Sequence, residues 1–118
     1  MPPGWPPMVR PPGSADWELT AVAYLLDCCP PEFRLYPVLR RHPVVLARFA
    51  LRSVEGQARA VETGLAEVRT DLGRFVGPDV VDQAIDTWQR QGALLLRTRR
   101  AVELVERALR GEEFVPTM

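Results

Sequence analysis

The chain has 118 residues, of which 47% are hydrophobic and 25% charged, and this is the composition of one soluble globular domain with a small core. Its fifteen basic and fifteen acidic residues cancel, and a net charge of zero argues against a protein that coats nucleic acid generally. All fifteen basic residues are arginine, so an arginine cluster is weaker evidence for phosphate recognition than usual.

The first 13 residues contain six prolines and two glycines, which exclude a helix or a strand and predict a disordered or polyproline-II arm. This arm lacks the apolar region of a signal peptide. The longest apolar stretch near it, residues 19–26, is too short to span a membrane. Cys28 and Cys29 are adjacent, a spacing that rarely forms a disulfide. We therefore expect a cytoplasmic protein with no membrane association.

Residues 15–29 are predicted to form a helix after a cap at Ser14, because apolar residues recur there at helical spacing. Pro31, Pro37 and Pro43 follow at intervals of six residues. Since proline suits the first turn of a helix and disrupts its interior, we expect short helical turns to begin at the first two and a long helix at the third.

Two long helices are predicted, over residues 43–75 and 78–110. In the first, apolar residues recur from Val44 to Phe75 at alternating steps of three and four residues, the pattern of a coiled-coil seam. The short loop at Gly77 requires the second helix to return antiparallel. We therefore expect an all-α fold, a long antiparallel helical hairpin capped by the N-terminal helix and the proline-started turns. Residues 14–111 form the single domain and residues 112–118 a tail.

The apolar pattern differs between the two halves of this hairpin. Near the open end the helices are apolar almost all round, which predicts that residues 15–41 cover them. Toward the turn the apolar stripe narrows to the seam. Two helices alone bury little surface, so we expect self-association or a helical protein partner, for example in a four-helix bundle. Gly56, Ala60 and Gly64 form a row of small residues that would let a partner helix approach closely.

The neutral chain is also electrically polar along the hairpin. Residues 60–89 carry six acids and two arginines, a net charge of −4, whereas residues 32–59 carry six arginines and two acids, a net charge of +4. Antiparallel dimerisation would place the acidic tip of one copy against the basic end of the other.

The basic end offers a candidate anion site, because free N–H groups and the helix dipole add to side-chain charge at a helix N-terminus. The residues predicted for it are Arg40, Arg41, His42 and Arg48. A wider basic region would serve nucleic acid or a phosphate ligand, and it comprises Arg34, Arg40, Arg41, Arg48 and Arg52. Alternatively, these arginines form only a solvated rim.

No catalytic residue, metal site or cofactor is predicted. The spacing of Cys28, Cys29 and His42 matches no familiar zinc pattern. The sequence contains neither a nucleophile elbow nor a glycine-rich phosphate loop. A small helical enzyme with an arginine-lined pocket between subunits is the least favoured interpretation. The favoured one is a small cytoplasmic interaction or regulatory module that acts by helix–helix association, and binding of nucleic acid or phosphate ligands is the alternative.

Overall fold

The computed structural model describes residues 1–112, which form an all-α fold without a strand in that range. The elements in chain order are α1 (Trp17–Asp27), a 3-10 turn (Pro31–Leu35), α2 (Pro37–Arg41), α3 (Pro43–Leu72) and α4 (Pro78–Leu109). The tail predicted for residues 112–118 lies outside the described residues beyond Glu112. Helices α3 and α4 pack along each other, so the predicted long antiparallel hairpin is confirmed.

Prolines begin four of the five helical elements. Pro31, Pro37, Pro43 and Pro78 each occupy the first position of their element. Proline lacks the N–H that would be unpaired there, and its fixed φ is already helical. Tyr36 and His42 precede two of these prolines and have ψ of 107° and 85°, because proline pushes its predecessor out of the α region. The prediction that these prolines restart the chain is confirmed.

Helix α3 ends at Leu72, three residues before the predicted end at Phe75. Gly73 follows as the C-terminal cap, and the Phe75 N–H donates to the Leu72 carbonyl at 2.9 Å in a tight turn. Gly77 has ψ of 164° and leads into α4. The heptad seam thus extends beyond the helix, and Phe75 lies in the turn with 79% of its surface exposed.

Helix α1 is shorter than the predicted residues 15–29, and its start differs from the predicted cap. Asp16 precedes the helix and makes no capping hydrogen bond through its side chain. Ser14 instead accepts the Trp17 N–H through its backbone oxygen at 3.2 Å, which closes a turn before the helix. The Cys28 N–H bonds back to the Leu25 carbonyl at 3.1 Å and ends α1 before the cysteine pair.

The main core lies at the open end of the hairpin, where α1 and α2 cover α3 and α4. The residues that are fully buried there, with no more than 1% exposed, are Ala21, Leu25, Leu39, Leu46, Ala47, Ala50, Val102 and Val105. This arrangement confirms that the open end is the capped end, because the all-round apolar part of α3 is the part that α1 and α2 cover.

The proline-rich segment, expected to be disordered, lies against this core. Val9 is 3% exposed and belongs to the main core. The Trp5 indole N–H donates to the Val9 carbonyl at 2.9 Å, and the Trp5 and Trp17 rings lie 5.9 Å apart. The Arg10 N–H donates to Thr20 Oγ1 at 2.9 Å. Composition gave no signal for this packing, which depends on the apolar surface that α1 and α4 present together.

Beyond the core, the hairpin continues as a two-helix arm. A second, smaller core holds Val54, Val61 and Leu95, and Val68 and Val81 are buried farther out. The radius of gyration is 17.4 Å. A compact domain of this length would have a radius of gyration of about 13.5 Å. The arm therefore projects from the capped end.

Candidate functional site

The tip of the hairpin exposes a group of large apolar side chains, here called the tip patch. It consists of Leu72, Phe75 and Val80, with 37%, 79% and 42% of their surfaces exposed. Asp71, which is also exposed, is its nearest acidic neighbour along α3. The patch lies at the end of α3, in the turn and at the start of α4, away from the other elements that residues 1–112 form. An apolar group at the end of a projecting arm is typical of a contact surface.

The capped end exposes a second apolar group, here called the aromatic patch and made of Phe33, Tyr36 and Phe49. The Phe33 ring lies 6.0 Å from that of Tyr36 and 5.8 Å from that of Phe49, with the latter pair edge to face. Phe33, Phe49 and Arg52 contribute to the lining of an open cavity of about 480 Å³. Leu35 and Val38 extend the exposed apolar surface along the chain.

Sequence reasoning missed the aromatic patch because it assigned Phe49 to the covered part of α3. Phe49 is 46% exposed, although its ring packs edge to face against Phe33 of the 3-10 turn. The recurrence of aromatic residues at 33 and 36, just before α2, was the available signal. The sequence could not place them beside Phe49, because that requires the angle at which the turn meets α3.

The arginines predicted for anion or nucleic-acid binding are largely engaged by carboxylates of this chain. Arg48 Nη2 donates to Glu106 Oε1 at 2.9 Å, and its Nε lies 2.8 Å from Glu106 Oε2. Glu106 is only 5% exposed, so this ion pair connects α3 to α4 inside the capped end. Arg34 pairs with Asp27 at 2.6 Å, and Arg52 pairs with Glu55 at 2.8 Å. The structure therefore gives Arg48 a structural role.

Arg40, Arg41 and His42 lie where the sequence placed them, at the junction of α2 and α3. Arg40 and Arg41 form the last turn of α2, and His42 is the residue that precedes α3. All three are exposed, and none has a carboxylate within 4 Å in the part of the chain that the structure describes. They contribute positive charge to the capped end, next to the aromatic patch.

The row of small residues is divided between an internal contact and an open face. A Cβ placed on Gly64 would lie 2.6 Å from Trp88 Cε2, so this glycine makes room for the tryptophan of α4. Nothing lies within 4 Å of a Cβ placed on Gly56, and Ala60 is exposed. Of the predicted interface residues, Gly64 therefore contacts Trp88 within the chain, whereas Gly56 and Ala60 remain accessible to a partner. Gly92 also admits a neighbour, since a Cβ placed on it would lie 3.4 Å from Val61 Cγ1.

An open cavity of about 610 Å³ lies between the end of α1 and the two long helices. Its polar lining includes Gln57 and Gln91, together with Tyr24 and the two cysteines. No arginine lines it, so it is not the arginine-lined pocket considered for an enzyme.

The two thiols and the Tyr24 hydroxyl of this cavity are held in their neutral forms. Burial raises the pKa of Cys29 to about 11, and the neighbouring Cys28 adds to the rise. Burial also raises the pKa of Cys28, against a lowering hydrogen bond from the Tyr24 hydroxyl. The pKa of Tyr24 is raised by burial and by Cys28. At neutral pH the cavity therefore presents thiols, which are poor nucleophiles and poor metal ligands.

Two further properties follow from the coordinates of residues 1–112. No three side chains among the His, Cys, Asp and Glu residues in this range converge on a point where a metal ion could bind. Within the same residues, no helix combines the length and the apolar character that crossing a membrane requires.

Comparison with protein-family models, curated proteins and solved structures found no significant match to this chain.

Proposed function

We propose that this protein is a small helical interaction module that acts by helix–helix association, first with a second copy of itself. The observation that carries the proposal is the tip patch, because Phe75 presents 79% of its surface to solvent at the end of a two-helix arm. Burying a side chain of this size against a partner contributes roughly 1.5–3 kcal/mol to the free energy of association.

The charge distribution supports a second copy as the partner. The tip belongs to the segment of net charge −4 and the aromatic patch to the segment of net charge +4. Each copy thus carries both halves of a complementary pair of surfaces, and two copies side by side can satisfy both at once. Free thiols at Cys28 and Cys29 suit a reducing compartment, so a cytoplasmic location is part of the proposal.

Sedimentation equilibrium between about 1 and 100 µM, the range in which modest interfaces associate, tests the proposal. We expect a species of twice the 13.3 kDa chain mass at the upper end of this range. Association should weaken as salt is raised, because the complementary charges are exposed. A strict monomer across the whole range would contradict self-association.

Binding of nucleic acid or phosphate ligands remains the alternative, with Arg40, Arg41 and His42 as its unpaired groups. Internal carboxylates offset the charges of Arg34, Arg48 and Arg52, so the geometry favours it less. Salt-dependent binding of a labelled oligonucleotide at low ionic strength, with the protein monomeric, would support the alternative over our proposal.

A further inference from the structure

We infer that the self-association proposed above uses the outer face of α3, packed antiparallel against α3 of a second copy and crossing it at Ala60. This inference rests on the proposed function and adds to it a surface, an orientation and a specific contact. It begins with the side chains that α3 turns away from α4.

One stripe along α3 contacts the capped end through Val45 and Phe49 and is exposed from Ala60 to Glu67. At 3.6 residues per turn, the residues that fall within a stripe about 60° wide are Val45, Phe49, Gly56, Ala60, Thr63 and Glu67. The seam that packs on α4, centred on Val61, faces away from this stripe. Phe49, Ala60, Thr63 and Glu67 are exposed, and Gly56 has open space before it. The side chains of this stripe are large and apolar at the capped end, small in the middle and acidic toward the tip.

The small residues in the middle set the point of closest approach. Gly56 and Ala60 carry no side chain beyond Cβ, so a second helix can come nearer there than elsewhere on this face. Ala60 lies close to the middle of the Pro43–Leu72 helix. Two copies that cross there in opposite directions overlap over nearly the whole length of α3.

The charges fix the antiparallel direction. Arg52 lies eight residues before Ala60, and Glu67 lies seven residues after it. At 1.5 Å per residue these positions are about 12 Å and 10.5 Å from the crossing, so in an antiparallel pair Arg52 of each copy comes level with Glu67 of the other. A parallel pair would instead place like charges side by side. Arg52 is exposed and pairs locally with Glu55 at 2.8 Å. Glu55 also pairs with Arg99 at 3.3 Å, so Arg52 can turn to a partner without leaving this carboxylate unpaired.

The same geometry brings the apolar ends together. Leu72 lies twelve residues after Ala60, and Phe49 lies eleven residues before it. The tip patch of one copy therefore reaches the level of the aromatic patch of the other, where the cavity of about 480 Å³ is open. The two-fold axis repeats this arrangement, so each tip patch lies level with the aromatic patch of the other copy.

Charge reversal tests the contact, with dimerisation measured by sedimentation equilibrium and helix content by circular dichroism. Arg52→Glu alone and Glu67→Arg alone should each weaken the dimer about tenfold, since each reversal acts twice in a symmetric dimer. The double variant Arg52→Glu with Glu67→Arg should restore most of the wild-type affinity. The matched control is Glu62→Arg, two residues from Ala60 and therefore on nearly the opposite side of α3, and it should leave the affinity unchanged.

A second pair of variants tests the crossing point. Ala60→Arg should abolish dimerisation, because it places two guanidinium groups at the closest approach, whereas Ala66→Arg on another exposed face should not. A wild-type dimer that is indifferent to Ala60→Arg and to both charge reversals would overturn this inference and leave the proposed function standing. A wild-type monomer would instead overturn the proposed function itself.

Discussion

Two glycines on the same helix, Gly56 and Gly64, have opposite reasons to be there. Each costs α3 about 1 kcal/mol relative to alanine. At Gly64 the cost accompanies a close contact, because a Cβ would lie 2.6 Å and 2.7 Å from two ring atoms of Trp88. At Gly56 nothing among residues 1–112 requires the missing side chain. Gly56 is thus the glycine whose presence the monomer does not explain.

We expect Gly56→Ala to raise the free energy of unfolding by about 1 kcal/mol, the difference in helix propensity. The free energy of unfolding of Gly64→Ala should be about 1–3 kcal/mol lower than that of Gly56→Ala, because the Trp88 ring must move to admit the methyl group. Urea denaturation at a protein concentration too low for association measures both values. Equal stability of the two variants would show that Trp88 does not pack on Gly64.

The cavity beside α1 makes a further residue-scale prediction, which concerns pH. The Cys29 thiol in the unfolded chain ionises near 9.0, whereas burial holds its pKa at about 11 in the folded protein. The unfolded chain therefore loses this proton first as the pH rises, and the stabilisation that is complete below pH 9 is lost between pH 9 and 11.

Urea denaturation at pH 8 and at pH 10.5 checks this expectation. The wild type should lose more stability between the two values than Cys29→Ala, which has no thiol to titrate at that position. A Cys29→Ala variant with the same pH dependence as the wild type would assign the loss to other groups, of which Cys28 is the nearest.

At the scale of elements, the sequence predicted where most helices begin and which helices pack together, but not the individual side-chain contacts between them. Prolines fixed the starts of the elements, because the physical effect of proline is local. The end of α3 at Leu72 could not be read from the heptad seam, which continues to Phe75, since the turn competes for the last apolar positions. The pairing of Arg48 with Glu106, 58 positions apart, depends on how α3 and α4 lie against each other.

The proline-rich segment is the element where composition and structure differ most. Val9 anchors this segment to the main core and is 3% exposed, whereas its neighbour Met8 is 61% exposed. We expect Val9→Ala to lower the free energy of unfolding by roughly 1–3 kcal/mol, because it removes buried apolar surface from the main core. Met8→Ala is the matched control and should change it by no more than about 0.5 kcal/mol. Thermal and urea denaturation measure both. An unchanged free energy of unfolding in Val9→Ala would instead support the predicted disordered arm.

At the scale of the whole molecule, the asymmetry of the hairpin is its most informative property. The capped end holds the main core, and the arm holds a single narrow seam that ends at an exposed apolar tip. The sequence indicated this division through the width of its apolar stripe, and it indicated the opposite charges of the two ends. The sequence could not show that carboxylates of this chain pair with most arginines of the basic region. Because these charges are offset, anion binding is less favoured than association through the apolar patches at both ends.

The orientation of the proposed dimer has a consequence that small-angle X-ray scattering can measure. One copy extends 55 Å along its longest axis. Because Ala60 lies near the middle of α3, an antiparallel pair crossing there lies side by side, and its maximum dimension should remain close to that of the monomer. Association of the tip patches with each other would instead join two copies end to end and give about twice the length. The scattering profile of a concentrated sample, matched to a dilute one, separates the two arrangements. A dimer whose maximum dimension doubles would contradict the antiparallel contact, whichever residues affect its affinity.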